Sequence, residues 1–168
     1  MGDPSERSRG KYWDEFPAGT VLRTRGRTVT ETDLVNFTAY MGFTESLFQD
    51  ATYVAEHTPY GRRIAPATLT LCLAEGLVIQ SGLIDETGIA LLEMHFTVRN
   101  PVFIGDTIHV EVEGAEARPT SRGNRGIVTT NNRVFKQDGE LALEYRPVRM
   151  IRGDPAREQV TASGDGAA

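Results

Sequence analysis

The sequence predicts an α+β domain in which a curled antiparallel sheet of about five strands wraps one long central helix. Two observations carry this. The stretch Pro66–Gly82 is apolar on nearly every side, and after it the chain reads only as alternating, strand-like segments.

Each element has its own signal. Thr20–Val29, rich in Thr and Val, reads as a first strand. Thr30 follows, with Glu31 and Asp33 behind it, a helix start with acidic residues in the first turn. Leu34, Phe37 and Met41 share one face of that helix, and Gly42 ends it. An irregular segment, Phe43 to Gln49, leads to Asp50, an N-cap for a short helix reaching about His57. Pro59, Tyr60 and Gly61 make a turn. The central helix opens at Pro66 and closes at Ser81 and Gly82. Its Leu69, Leu71, Cys72, Leu73, Leu77, Val78 and Ile79 leave it little polar surface, so cover from a partner chain is expected beyond what one sheet supplies. Ile89–Val98, Asp106–Ala115, Arg125–Phe135 and Glu140–Ile151 then alternate apolar and polar residues, the last two joined by a turn at Gln137–Gly139.

Composition narrows the function. The 168 residues suffice for a core without disulfide or metal staples. Lys and Arg number 18 against 23 Asp and Glu, a net charge of −5, so the basic field of a nucleic-acid binder is missing. Cys72 is the one cysteine, which excludes an intrachain disulfide. No apolar stretch has the roughly 20 residues of a membrane span, and residues 1–7 carry no apolar signal core, so a soluble cytoplasmic protein is expected. Residues 1–10 read as a disordered arm, 11–152 as one domain and 153–168 as a disordered tail.

Five segments in order carry a resemblance: Arg27–Phe37, Phe48–Ala55, Tyr60–Ala65, Asn100–Thr107 and Gln137–Glu140. Together they resemble the MaoC-like dehydratases, which include the (R)-specific enoyl-CoA hydratases, over roughly residues 15–152. The resemblance implies the hot-dog fold and an acyl thioester of coenzyme A or acyl carrier protein as substrate. It also implies a homodimer or a heterodimer with a second hot-dog chain. No cofactor, metal, nucleic acid or membrane is implied.

The family pattern Asp-x-Asn-Pro-Leu-His-x-Asp supplies the acid/base pair. Aligned without a gap from Phe37 to Asp50, its catalytic Asp falls on Phe43 and its His on Phe48. Phenylalanine transfers no proton. The family's Ala-His-Gly, whose backbone N–H polarises the thioester carbonyl, falls on Ala65, Pro66 and Ala67. Phe43 and Phe48 thus become candidate walls of an apolar tunnel and Ala67 a candidate carbonyl anchor.

The remaining acid/base candidates are Glu45, Asp50 and His57. Each has a plainer reading: an exposed loop carboxylate, an N-cap and a charge at a helix C-terminus. Tyr40 is a candidate donor into the pocket or a packing residue. Arg62 and Arg63, or Arg118, Arg122 and Arg125, suit coenzyme A phosphates or are ordinary surface charge. His95 and His109 read as strand residues facing away from the core, and Cys72 as a buried apolar residue. Glu75, a carboxylate on the apolar helix, requires a partner. Three functions stay open: a hydro-lyase with relocated catalytic groups, a non-catalytic subunit, or a different reaction on the scaffold, such as thioester hydrolysis or shape-guided cyclisation.

Overall fold

The computed structural model describes residues 9–16, 18–121 and 123–156. Residues 1–8 and 157–168, within the expected arm and tail, lie outside the described residues, as does Arg122. After a 3-10 turn at Trp13–Glu15 come β1 (Val21–Arg23) and β2 (Arg27–Thr28). Four helices follow: α1 (Glu31–Met41), α2 (Ser46–Gln49), α3 (Ala51–His57) and α4 (Ala67–Gln80). The chain then runs through β3 (Gly88–Val98), β4 (Thr107–Pro119), β5 (Arg125–Lys136) and β6 (Leu141–Arg152). The sheet is antiparallel, in the order β1-β4-β5-β6-β3, with β2 also paired to β4.

The core lies between α4 and the concave face of this sheet. Leu69, Leu73, Ala74, Leu77 and Val78 of α4 meet Ile108 and Val110 of β4, Val128 and Val134 of β5, and Leu143 and Ile151 of β6. Each such Leu, Ile or Val side chain, taken out of water, contributes about 1.5–3 kcal/mol. The expected first strand is instead two short ones. Thr24 breaks it by turning inward, where its hydroxyl accepts from the Val110 N–H at 2.9 Å. The apolar helix is also less enclosed than its composition predicts: Cys72 and Ile79 are exposed. The sheet covers one side of α4 and stops at β3, which is exposed along its length except at Met94. Leu91, Phe96 and Val98 of β3 are 54%, 39% and 49% exposed, a bare apolar edge rather than a covered one.

Thr30 caps α1 as its sequence suggests. Its hydroxyl accepts from the Asp33 N–H at 3.2 Å, and the Asp33 carboxylate accepts from the Thr30 N–H at 2.9 Å. Burial pushes the Asp33 pKa up, but the Thr30 hydrogen bonds and the Arg27 guanidinium at 2.6 Å outweigh it and hold the pKa below the ordinary 3.8. A depressed carboxylate pKa stabilises the fold above its unfolded value and loses that contribution as pH falls through the folded value. Asp33→Asn is therefore expected to cost about 1 kcal/mol at neutral pH. The gap between variant and wild type should narrow below pH 3.8 in urea melts, and a constant gap would contradict this.

Candidate functional site

The segment between α1 and α4 folds over one end of the core and fixes the site. Phe37, Phe43 and Phe48 form a ladder, with ring centroids 5.4 Å apart for the first pair and 5.8 Å for the second. Arg63 ties the ladder down. It pairs with Glu31 and donates to the Phe48 carbonyl at 3.0 Å. The Ala65 N–H donates to the Val102 carbonyl at 2.8 Å, which sets the chain entering α4 against the loop before β4.

These contacts enclose a cavity of about 360 Å³ lined by Phe48, Tyr60, Ala65, Pro66, Ala67, Thr70, Val98, Arg99, Asn100 and Leu143, among others. Ala67 is the first residue of α4, so its N–H has no acceptor within the helix and lies at the positive end of the helix dipole. The walls are mostly apolar. Their polar groups are the Tyr60 phenol, the Thr70 hydroxyl, the Asn100 amide, which donates to the Leu141 carbonyl at 2.8 Å, and Arg99, bonded to Glu144 at 2.6 Å.

Of the residues named from sequence, Phe48 and Ala67 line this cavity together, and Phe43 stands behind Phe48 without reaching it. The ionisable candidates do not line it. Glu45 is exposed at the N-cap of α2. Asp50 caps α3, its carboxylate accepting from the Tyr53 N–H at 2.9 Å. His57 is exposed at the end of α3, its ring 5.4 Å from that of Tyr53. Tyr40 is 87% exposed. Arg62 stacks over the Phe103 ring at 4.1 Å, within 4.0 Å of Asp106. Tyr60, Arg99 and Asn100 also line the cavity without having been named as site residues; Tyr60 and Asn100 open two of the resembling segments, and Arg99 has no such signal.

Asp106 has a structural task. It accepts from the Phe103 N–H at 2.9 Å and sits 3.9 Å from Lys136, while its carbonyl accepts from the Val29 N–H at 2.8 Å. His95 lies on the outer face of the sheet beside an open groove of about 1070 Å³ with both signs of charge, including Glu93, Arg133, Glu144 and Arg146. His109 stacks on Phe135 at 5.7 Å; burial and then Arg23 lower its pKa, so it is neutral at physiological pH. Glu75 finds its partner in Arg149 of β6. Among the described residues no cluster of His, Cys, Asp and Glu has metal-binding geometry, and no helix is long and apolar enough to cross a membrane.

A curled sheet around a central helix, with a cavity at the helix N-terminus, defines the hot-dog class of α+β domains. Residues 15–135 match the MaoC like domain, and the chain belongs to that family. Among solved structures, the monoamine oxidase regulatory protein from Archaeoglobus fulgidus is 32% identical, covers 88% of this chain and 98% of its own, and superposes with a TM-score of 0.80. The R-hydratase PhaJ1 from Pseudomonas aeruginosa is 28% identical over 85% of this chain and 86% of its own, with a TM-score of 0.70. The MaoC-like dehydratase from Rhodospirillum rubrum shares the fold at 22% identity, over 87% of this chain and 99% of its own, with a TM-score of 0.78. No curated protein matches.

Proposed function

We propose that the cavity binds an acyl thioester, carried by coenzyme A or an acyl carrier protein, and that the chain is a hydratase or dehydratase of the MaoC type whose usual Asp/His pair is replaced by Phe43 and Phe48. The observation that carries this is the shared cavity of Phe48 and Ala67. The thioester carbonyl oxygen accepts from the Ala67 N–H. When water adds across the neighbouring double bond, hydroxide bonds to the β-carbon and the developing negative charge collects on that oxygen. A proton then reaches the α-carbon, and dehydration is the reverse. Glu45, between the two phenylalanines in sequence, is the proton-transfer candidate; Asp50 and His57 are its alternatives, and Tyr40, Arg62 and Arg63 are the substrate-holding candidates. A second reading, a non-catalytic subunit that shapes the acyl pocket of a catalytic partner, is favoured by one observation: among the described residues Phe48, and no Asp, Glu or His, lines the cavity.

The test exploits the helix start. Proline is tolerated at the first helical position, and Pro66, at φ −50 and ψ 140, already has the conformation a residue before proline adopts. Ala67→Pro therefore deletes the N–H with little cost to the helix. Calorimetric titration with a saturated acyl-CoA should show about tenfold weaker binding than wild type. Equal affinity would remove Ala67 from the site.

The bare edge of β3 and the exposed Ile79 of α4 point to a second hot-dog chain, paired strand to strand. Light scattering at micromolar concentration should give a dimer. Phe96→Arg, which places a charge on the apolar side of that edge, should give a monomer; a monodisperse wild-type monomer would contradict the assembly.

A further inference from the structure

Between the middle of α4 and strands β5 and β6 lies a polar cluster the preceding mechanism does not use. Glu75 of α4 pairs with Arg149 of β6 through one carboxylate oxygen, and its other oxygen, Oε1, is buried without a hydrogen-bond partner. Tyr145 of β6 and Asn132 of β5 are opposite each other in the sheet, 3% and 1% exposed. The Tyr145 hydroxyl and both polar atoms of the Asn132 amide lack partners, as does the hydroxyl of Thr130, 3% exposed on the same face of β5. Glu75 and Asn132 neighbour the Tyr145 hydroxyl, but neither meets hydrogen-bond geometry with it. Buried polar groups are almost always paired, so the unpaired atoms of Glu75, Tyr145 and Asn132 mark a position shaped for something else.

The cluster continues the cavity wall. Leu143 lines the cavity, and Tyr145 is the next residue on the same face of β6, about 7 Å along the strand. Val98 lines it too, and Phe96, opposite Tyr145, is the next inward residue of β3. On α4, Ala67 lines the cavity and Glu75 follows just over two turns later, about 80° around the helix. An acyl chain whose carbonyl is at Ala67 and which runs along α4 travels about 12 Å before it draws level with Glu75.

We propose that this cluster is a recognition subsite for a neutral hydrogen-bonding group, a hydroxyl, carried by the acyl chain; it rests on the thioester reading of the cavity. The chemistry selects the class. Glu75 Oε1 only accepts, whereas the Tyr145 and Thr130 hydroxyls and the Asn132 amide both donate and accept. A hydroxyl satisfies an acceptor and a donor at once. A carboxylate meets the Glu75 charge, with the Arg149 guanidinium already engaged. A plain alkyl chain leaves every one of these atoms unpaired and displaces whatever water reaches them. Burial first, and then the Glu75 charge, push the Tyr145 pKa up, so the phenol remains a neutral donor.

The experiment compares saturated acyl-CoAs of four to ten carbons with their terminally hydroxylated counterparts, titrated calorimetrically into the full chain. At one or more lengths the hydroxylated chain should bind at least tenfold more tightly. Tyr145→Phe and, separately, Asn132→Leu should bring that ratio close to one, and circular dichroism identifies a variant that has not folded. Equal or weaker binding of the hydroxylated chains at every length overturns the subsite while the thioester reading stands. A preference that survives in both folded variants also overturns it. Failure of every acyl-CoA to bind overturns the thioester reading and the subsite with it.

Discussion

Purified alone, the chain is expected to hydrate a short trans-2-enoyl-CoA at least about 10²-fold more slowly than a MaoC-like hydratase with an intact Asp/His pair. One positioned acid or base is worth about 10² to 10⁴ in rate, and the proposed alignment puts phenylalanine at both positions. The cavity reinforces the expectation, since the side chain that enters it from that segment is the Phe48 ring. On the proposed reading, what remains is orientation and carbonyl polarisation at Ala67. Any residual turnover should fall by about a further 10² in Glu45→Gln, because the amide keeps the shape and loses the proton chemistry. A coupled spectrophotometric assay checks both. Turnover within tenfold of an intact hydratase would overturn the alignment of the pair, and an undiminished Glu45→Gln would make Glu45 a bystander.

Arg149→Leu is expected to destabilise the fold by about 3 kcal/mol, while Glu75→Leu/Arg149→Leu recovers most of the loss. Removing one member of a buried ion pair strands the other charge, which typically costs about 3–5 kcal/mol; replacing both with apolar residues is often neutral or stabilising. The lower figure applies because the Glu75 side chain keeps 18% exposure against 9% for Arg149. Thermal and urea melts of the two variants and wild type decide it. A double variant as unstable as the single one would mean that the attraction itself, not the stranded carboxylate, dominates.

The elements with local signals were legible before any coordinates. Thr30 capped α1, Pro66 and Gly82 bracketed α4, and the alternating segments became β3 to β6 within a few residues of their expected ends. What failed was long-range. Nothing near Thr24 reveals that its hydroxyl will be claimed by Val110, |i−j| = 86, so one strand was read where two stand. Cys72 reads as buried because composition reports how apolar a helix is, not where its sheet ends. Phe48 and Ala67 line the cavity at positions a motif marks, whereas Arg99 joins it only once the strands are paired. The partner of Glu75 lies 74 residues away, beyond any periodicity.

The position of β3 in the sheet has a kinetic consequence. β4, β5 and β6 are joined as successive hairpins, and each closes over a short turn. β3 precedes them in the chain yet pairs with the last, Val98 opposite Leu143. Its pairing with β6 closes a loop that contains both hairpins, so it carries a larger loop-closure entropy than either of them. Val98 and Leu143 are also two walls of the cavity. The pocket wall that Val98 and Leu143 share therefore forms at a longer loop closure than either hairpin, and it opens when β3 peels away from β6.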